Sequence, residues 1–149
     1  MKILMICLGN ICRSPIAEGV MQKLIDEKGL DWYVQSAGTS GFHSGSKPHD
    51  ESISISAENN INITHQRSHQ LNKIQLDTYD LLIVMDQQNY NNTLNLCSTD
   101  EQRKKVKMLL NYSFPGENRA VPDPYYEGGF ENVFRMIEAA CKELVAQES

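Results

Sequence analysis

Cys7 and Arg13 are separated by five residues, Leu8-Gly9-Asn10-Ile11-Cys12, and Arg13 is followed by Ser14-Pro15. A loop that curls from a strand into a helix turns successive backbone N–H groups inward and makes a nest for an anion. The helix N-terminus adds about half a positive charge. Arg13 adds a planar guanidinium whose fork matches two oxygens of a tetrahedral oxyanion. Leu8, Gly9, Asn10, Ile11, Cys12, Arg13 and Ser14 are therefore a candidate phosphate cradle. Gly9 suits a position where φ must be positive, and Asn10 tolerates the same geometry and can brace the loop through its amide. Donors that hold a phosphate dianion also favour a thiolate at Cys7, and Ser14 can give its hydroxyl hydrogen to that sulfur. A thiolate beneath a bound phosphate lies in line to attack phosphorus. The expected chemistry is phosphoryl transfer to Cys7 and then hydrolysis of the phosphocysteine.

The elements that must position these groups are legible around them. Ile3-Leu4-Met5-Ile6 reads as a buried strand over residues 2–7. Ile16, Ala17, Val20, Met21, Leu24 and Ile25 mark one face of a helix that Ser14 caps, with Pro15 at its first position and Gly29 as its stop. Without those neighbours, Cys7 and Arg13 would as readily be a strand-end cysteine and a surface charge. Trp32–Ser36 reads as strand two, followed by a Gly/Ser loop through 45, and a helix is expected from Asp50 to Asn59 with Ile53, Ala57 and Ile55 inward. Leu81–Met85 is the clearest buried strand, with Asp86 capping a helix that turns Tyr90 and Leu94 inward. A short helix near 99–105, a fourth strand over 106–110 and a loop over 113–128 follow. Phe130, Val133, Phe134, Ile137, Cys141, Leu144 and Val145 then form one helical stripe. Strands alternating with helices predict a single α/β domain over 1–149, with a mostly parallel four-stranded sheet covered on both faces. In such sheets ligands bind at the strand C-termini, where both the 7–14 loop and Asp86 fall.

Composition limits the functions open to the chain. A net charge of -5 argues against nonspecific contact with nucleic acid or an anionic membrane. No apolar run nears the roughly 20 residues a bilayer span needs, and the N-terminal apolar run is too short for a signal peptide. A cytoplasmic protein is expected, with its four cysteines free and no metal-binding Cys/His spacing.

Cys-Leu-Gly-Asn-Ile-Cys-Arg-Ser-Pro resembles the signature loop of the low-molecular-weight protein tyrosine phosphatases. The resemblance continues through Ser36-Ala37-Gly38-Thr39, Val84-Met85-Asp86 and Asp123-Pro124-Tyr125-Tyr126, and it spans the chain. It implies a flavodoxin-like sheet of order 2-1-3-4 and a metal-free phosphatase; a monomer without cofactor is expected. The substrates implied are phosphotyrosine-containing proteins. It implies Cys7 as nucleophile and Asp123, stiffened between Pro122 and Pro124, as general acid and then base, a role worth about 10²–10⁴-fold. Tyr125 and Tyr126 would wall the pocket, with Phe42 at a position that shapes specificity. Cys12 would form a protective disulfide with Cys7 under oxidation. Ser36 would join the network behind the loop through Asn10. A structural histidine that bonds Asn10 aligns with His65 or, counted back from Gln70-Leu71, leaves Gln66 in its place; His65 is the expectation carried forward. His43, His49 and His69 are expected on the surface.

Three other activities fit the same loop. A thiol-dependent arsenate reductase needs relay thiols, and Cys97 and Cys141 stand at no obvious relay spacing. A protein arginine phosphatase would resemble this chain less at Ile11, where Thr is expected, and at the Tyr125-Tyr126 pair. A noncatalytic phosphate-binding module would not need Cys7, Arg13 and Asp123 together.

Overall fold

The computed structural model describes residues 1–124 and 129–149. Its described elements run β1 (Lys2–Cys7), α1 (Arg13–Lys28), β2 (Tyr33–Gly38), α2 (Asp50–Glu58), α3 (Lys73–Thr78), β3 (Leu81–Val84), α4 (Gln87–Leu96), α5 (Asp100–Lys104), β4 (Val106–Met108), a 3₁₀ turn (Leu109–Asn111) and α6 (Phe130–Glu148). The strands form one parallel sheet of order β2-β1-β3-β4. Side chains alternate across it. Ile3, Met5, Cys7, Ile83 and Met85 face a core shared with α1, α2 and α6, and Leu4, Ile6, Leu82 and Val84 face a second core with α3 and α4. Buried on both faces, β1 and β3 read as continuous apolar runs.

Several boundaries differ from the sequence expectation for local reasons. The first helix begins at Arg13, with Cys12 as its N-cap and no side-chain cap bond. The hydroxyl of Ser14 is turned to Asn10 and Cys7 instead of to the helix end. Pro15 stands at the third helical position, where the N–H also lacks an intrahelical partner. β2 extends through Gly38 because Cys7 pairs with it in parallel register. β4 ends at Met108, where the chain enters the 3₁₀ turn. The inner face of α2 is Ser52, Ile55 and Ser56, while Ala57 is exposed. No helix is long and apolar enough to cross a membrane among the described residues.

Candidate active site

The 8–12 segment hangs on its carbonyls. Cys7 O accepts from Thr39 N and Leu8 O from Ser40 N, both at 2.9 Å. Gly9 O accepts from Ser68 Oγ at 2.9 Å, Ile11 O from His49 N at 2.8 Å, and Cys12 O from Ser52 Oγ at 3.3 Å. With the carbonyls drawn outward, the N–H groups of Leu8 through Cys12 donate to no protein acceptor among the described residues and remain available to an anion. Asn10 supplies the left-handed residue, with φ 57°; Gly9 is not among the positive-φ residues, which corrects the expectation for it. What Gly9 provides is clearance, since a Cβ there would stand 3.0 Å from the His43 ring. Gly38 does the same beneath the loop, where a Cβ would meet Leu8 O at 2.8 Å.

Behind the loop runs a hydrogen-bond chain. Asn10 Oδ1 accepts from His69 N at 3.1 Å, so Nδ2 is the donor side. Nδ2 donates to Ser14 Oγ at 2.8 Å and to Ser36 Oγ at 3.0 Å. Ser36 passes its hydrogen to Glu18 Oε1 at 2.7 Å. Ser14 Oγ stands 3.0 Å from Cys7 Sγ, where its hydroxyl can donate to a thiolate. The 69–71 segment that delivers His69 N is itself bound to the end of β2, through Gly38 N to His69 O and Leu71 N to Gly38 O.

Arg13 is 3% exposed and anchored through Nη1, which donates to Val121 O at 2.8 Å and to Asp86 Oδ2 at 2.9 Å. Nη2 stands 3.7 Å from Asp123 Oδ2. Asp86 has a second task, because its Oδ1 caps α4 by accepting Asn89 N at 2.7 Å. A cleft of about 360 Å³ is lined by Cys7, Leu8, Gly9, Ile11, Cys12, Arg13, Ser40, Phe42, His43 and Asp123. The Cys12 thiol is pushed up to about 12, chiefly by burial and then by Cys7 and Asp123, so it stays protonated at neutral pH.

The structure thus brings Cys7, Arg13, Ser14, Asn10, Ser36 and Asp123 to one place, with Phe42, 86% exposed, at the cleft rim. It does not bring His65, which is exposed, while Gln66 beside it is buried and donates from Nε2 to Pro15 O at 3.1 Å. Neither alternative reaches Asn10, whose third partner is the backbone N–H of His69. The expectation for His65 is therefore corrected. His69 is half-buried, with Nε2 2.8 Å from Gln75 Nε2; His49 Nδ1 caps α2 by accepting Glu51 N at 3.1 Å, and His43 lines the cleft, so none of the three is a plain surface residue. Tyr125 and Tyr126 lie outside the described residues. Sequence reasoning missed the Asp86–Arg13 pair and Glu18. Asp86 had one signal, its place at a strand C-terminus; Glu18 had none, since a glutamate on a helix reads as a solvent-facing residue.

A family model described as low molecular weight phosphotyrosine protein phosphatase matches residues 2–148. The low molecular weight protein-tyrosine-phosphatase YfkJ of Bacillus subtilis is 35% identical over 147 residues, covering 97% of this chain and 94% of its own. The crystal structure of YfkJ aligns with a TM-score of 0.93 over 99% of this chain and 93% of that one. The human low molecular weight phosphotyrosine protein phosphatase is 35% identical over 146 residues, covering 95% and 91%. A structure of the arginine phosphatase YwlE, a mutant with a phosphorylated active-site serine, aligns with a TM-score of 0.88 at 26% identity over 99% and 95%. On the family match and these identities, the chain belongs to the low molecular weight phosphotyrosine protein phosphatase family.

Proposed function

We propose that the protein hydrolyses phosphotyrosine in proteins, and small aryl phosphates, through a phosphocysteine on Cys7. The observation that carries this reading is Cys7 Sγ at the floor of the cradle, 3.0 Å from Ser14 Oγ, with Arg13 and Asp123 lining the same cleft. The loop amides and the Nη2/Nε side of Arg13 hold the phosphoryl oxygens. The thiolate attacks phosphorus, the P–O bond to the phenol breaks, and Asp123 gives its proton to the leaving oxygen. Water then attacks the phosphocysteine and passes a proton to Asp123 as the S–P bond breaks. Ser14 donates to the departing thiolate, which lowers the barrier because the donor is already aimed. The cytoplasm suits a thiolate enzyme with four free cysteines.

A protein arginine phosphatase is the second reading, favoured by the likeness to YwlE and to a Drosophila arginine phosphatase. Ile11 and Phe42 line the cleft and give it an apolar wall suited to an aryl group. Turnover of matched phosphotyrosine and phosphoarginine peptides decides between them. We expect kcat/KM to favour phosphotyrosine; a preference for phosphoarginine would overturn the substrate assignment. Cys97 and Cys141 are both buried in the core and line no part of the cleft, which speaks against a thiol relay for arsenate.

A further inference from the structure

Glu18 is a carboxyl group that the chemistry above does not use. It is 9% exposed on α1 and closes the hydrogen-bond chain that begins at Cys7. It also lines a second cleft of about 300 Å³, which shares no residue with the phosphate cleft and which Gln66 lines as well. Gln66 is 8% exposed; its Nε2 is held by Pro15 O, and its Oε1 is buried with no donor among the described residues. Gln66 thus reaches α1 at the main-chain carbonyl of Pro15, one turn before Glu18, and both side chains line the same cleft. A buried acceptor without a donor forfeits its hydration with nothing in return.

The charged and titratable groups around Glu18 do not supply that donor. From α1, Lys23 Nζ is committed to Asn59 O at 3.1 Å, and Asp26 and Glu27 line the cleft. His65 lines it from the segment before Gln66. Tyr33 and Tyr79 stack at 6.3 Å near the carboxyl; burial raises the Tyr79 hydroxyl to about 12, with Tyr33 and then Glu18 adding to the shift. Burial is also the larger influence on Glu18 and raises its pKa above the ordinary glutamate value, against a smaller opposing effect of the Ser36 hydrogen bond.

We propose that Glu18 is protonated in the resting protein, that its Oε2–H donates to Gln66 Oε1, and that it serves as a positioning residue for Cys7 through Ser36, Asn10 and Ser14. The positioning part rests on the phosphatase reading. In the arrangement proposed, His69 N–H donates to Asn10, Asn10 to both serines, Ser36 to Glu18 Oε1, Ser14 to Cys7, and Glu18 to Gln66. An ionised Glu18 would leave Gln66 Oε1 without a donor and set a second buried anion behind the thiolate.

Glu18→Gln mimics the protonated acid, since its Nε2 can serve Gln66 while its Oε1 accepts from Ser36. Thermal melts of wild type and Glu18→Gln between about pH 4 and 8 test the protonation state. A folded-state pKa raised above the unfolded value stabilises fully below about pH 4.3, and that contribution is lost as pH rises through the folded value. The wild-type Tm should therefore drop relative to Glu18→Gln as pH rises. A Glu18→Gln protein that is less stable than wild type by a constant margin at every pH would overturn the proposal. For positioning, Glu18→Ala should lower kcat by about tenfold or more with KM nearly unchanged, and should slow iodoacetate alkylation of Cys7. Glu18→Gln should restore both to within about twofold. A folded Glu18→Ala protein with unchanged alkylation, or a Glu18→Gln as impaired as Glu18→Ala, refutes the role. Should wild type hydrolyse no phosphate ester, the melting and alkylation results would still decide the part played by Glu18.

Discussion

Replacing Asn10 separates the geometry of the loop from its hydrogen bonding. The residue combines a φ of 57° with three side-chain bonds, two of them buried, to Ser14 and Ser36, and a partly buried one from His69 N. At about 1 kcal/mol net per bond, Asn10→Gly removes about 3 kcal/mol while leaving the left-handed backbone unstrained. Asn10→Ala removes the same bonds and adds roughly 1–2 kcal/mol for a Cβ in the left-handed region. Asn10→Asp keeps the acceptor for His69 N and tolerates the backbone, so it should lose only about 1–2 kcal/mol. Yet its carboxylate cannot donate to Ser14 or Ser36. The Ser14 hydrogen then turns to the introduced carboxylate and away from Cys7, and kcat should fall by about 10²-fold. Equilibrium unfolding in urea gives the stabilities, and hydrolysis of p-nitrophenyl phosphate gives kcat and KM. With a typical total stability of about 5–15 kcal/mol, all three variants should remain folded. The order expected is Asp, Gly, Ala from most to least stable, with the Asn10→Asp protein disproportionately inactive for its stability. An Ala variant as stable as Gly would refute the backbone argument, and an Asp variant with wild-type kcat would refute the assigned polarity of the chain.

Two further substitutions probe the supports of the cradle. Asp86→Asn retains a good N-cap for α4 but loses the ion pair with Arg13; because Asp86 is 23% exposed, the stability loss should be only about 1–2 kcal/mol, while kcat/KM drops about tenfold as the guanidinium loses its orientation. Gly38→Ala drives a Cβ to within 2.8 Å of Leu8 O, a backbone atom that cannot turn aside. It should cost about 2–3 kcal/mol in chemical denaturation and weaken vanadate binding, because the loop must shift to admit it.

How much of this was legible in the sequence follows from how local each signal is. The strand, loop and helix around Cys7 are contiguous, so the apolar run, the Gly-Asn pair and the helical stripe announce them together. The sheet interior was legible because both faces of β1 and β3 are buried. The support of Asn10 was not: a backbone N–H, that of His69, occupies the place a side chain was expected to fill, and no residue type marks it. α3 was missed because it is six residues long, buries only Leu76 and leaves Ile74 77% exposed. Its capping box, Asn72 with Gln75, was the available sign. The extent of β2 depends on pairing with β1, which no local pattern records.

The central claim is a covalent phosphocysteine on Cys7, and Asp123→Ala offers the most direct view of it. With p-nitrophenyl phosphate the leaving group needs little acid, so the first step should proceed while hydrolysis, deprived of its base, lags. Rapid mixing should then release p-nitrophenol in a burst of one equivalent per enzyme. Mass spectrometry of the quenched protein should find one phosphoryl group on the peptide carrying Cys7, absent in the Cys7→Ala, Asp123→Ala double variant. A steady release with no burst and no adduct, or an adduct on any other residue, would contradict the account.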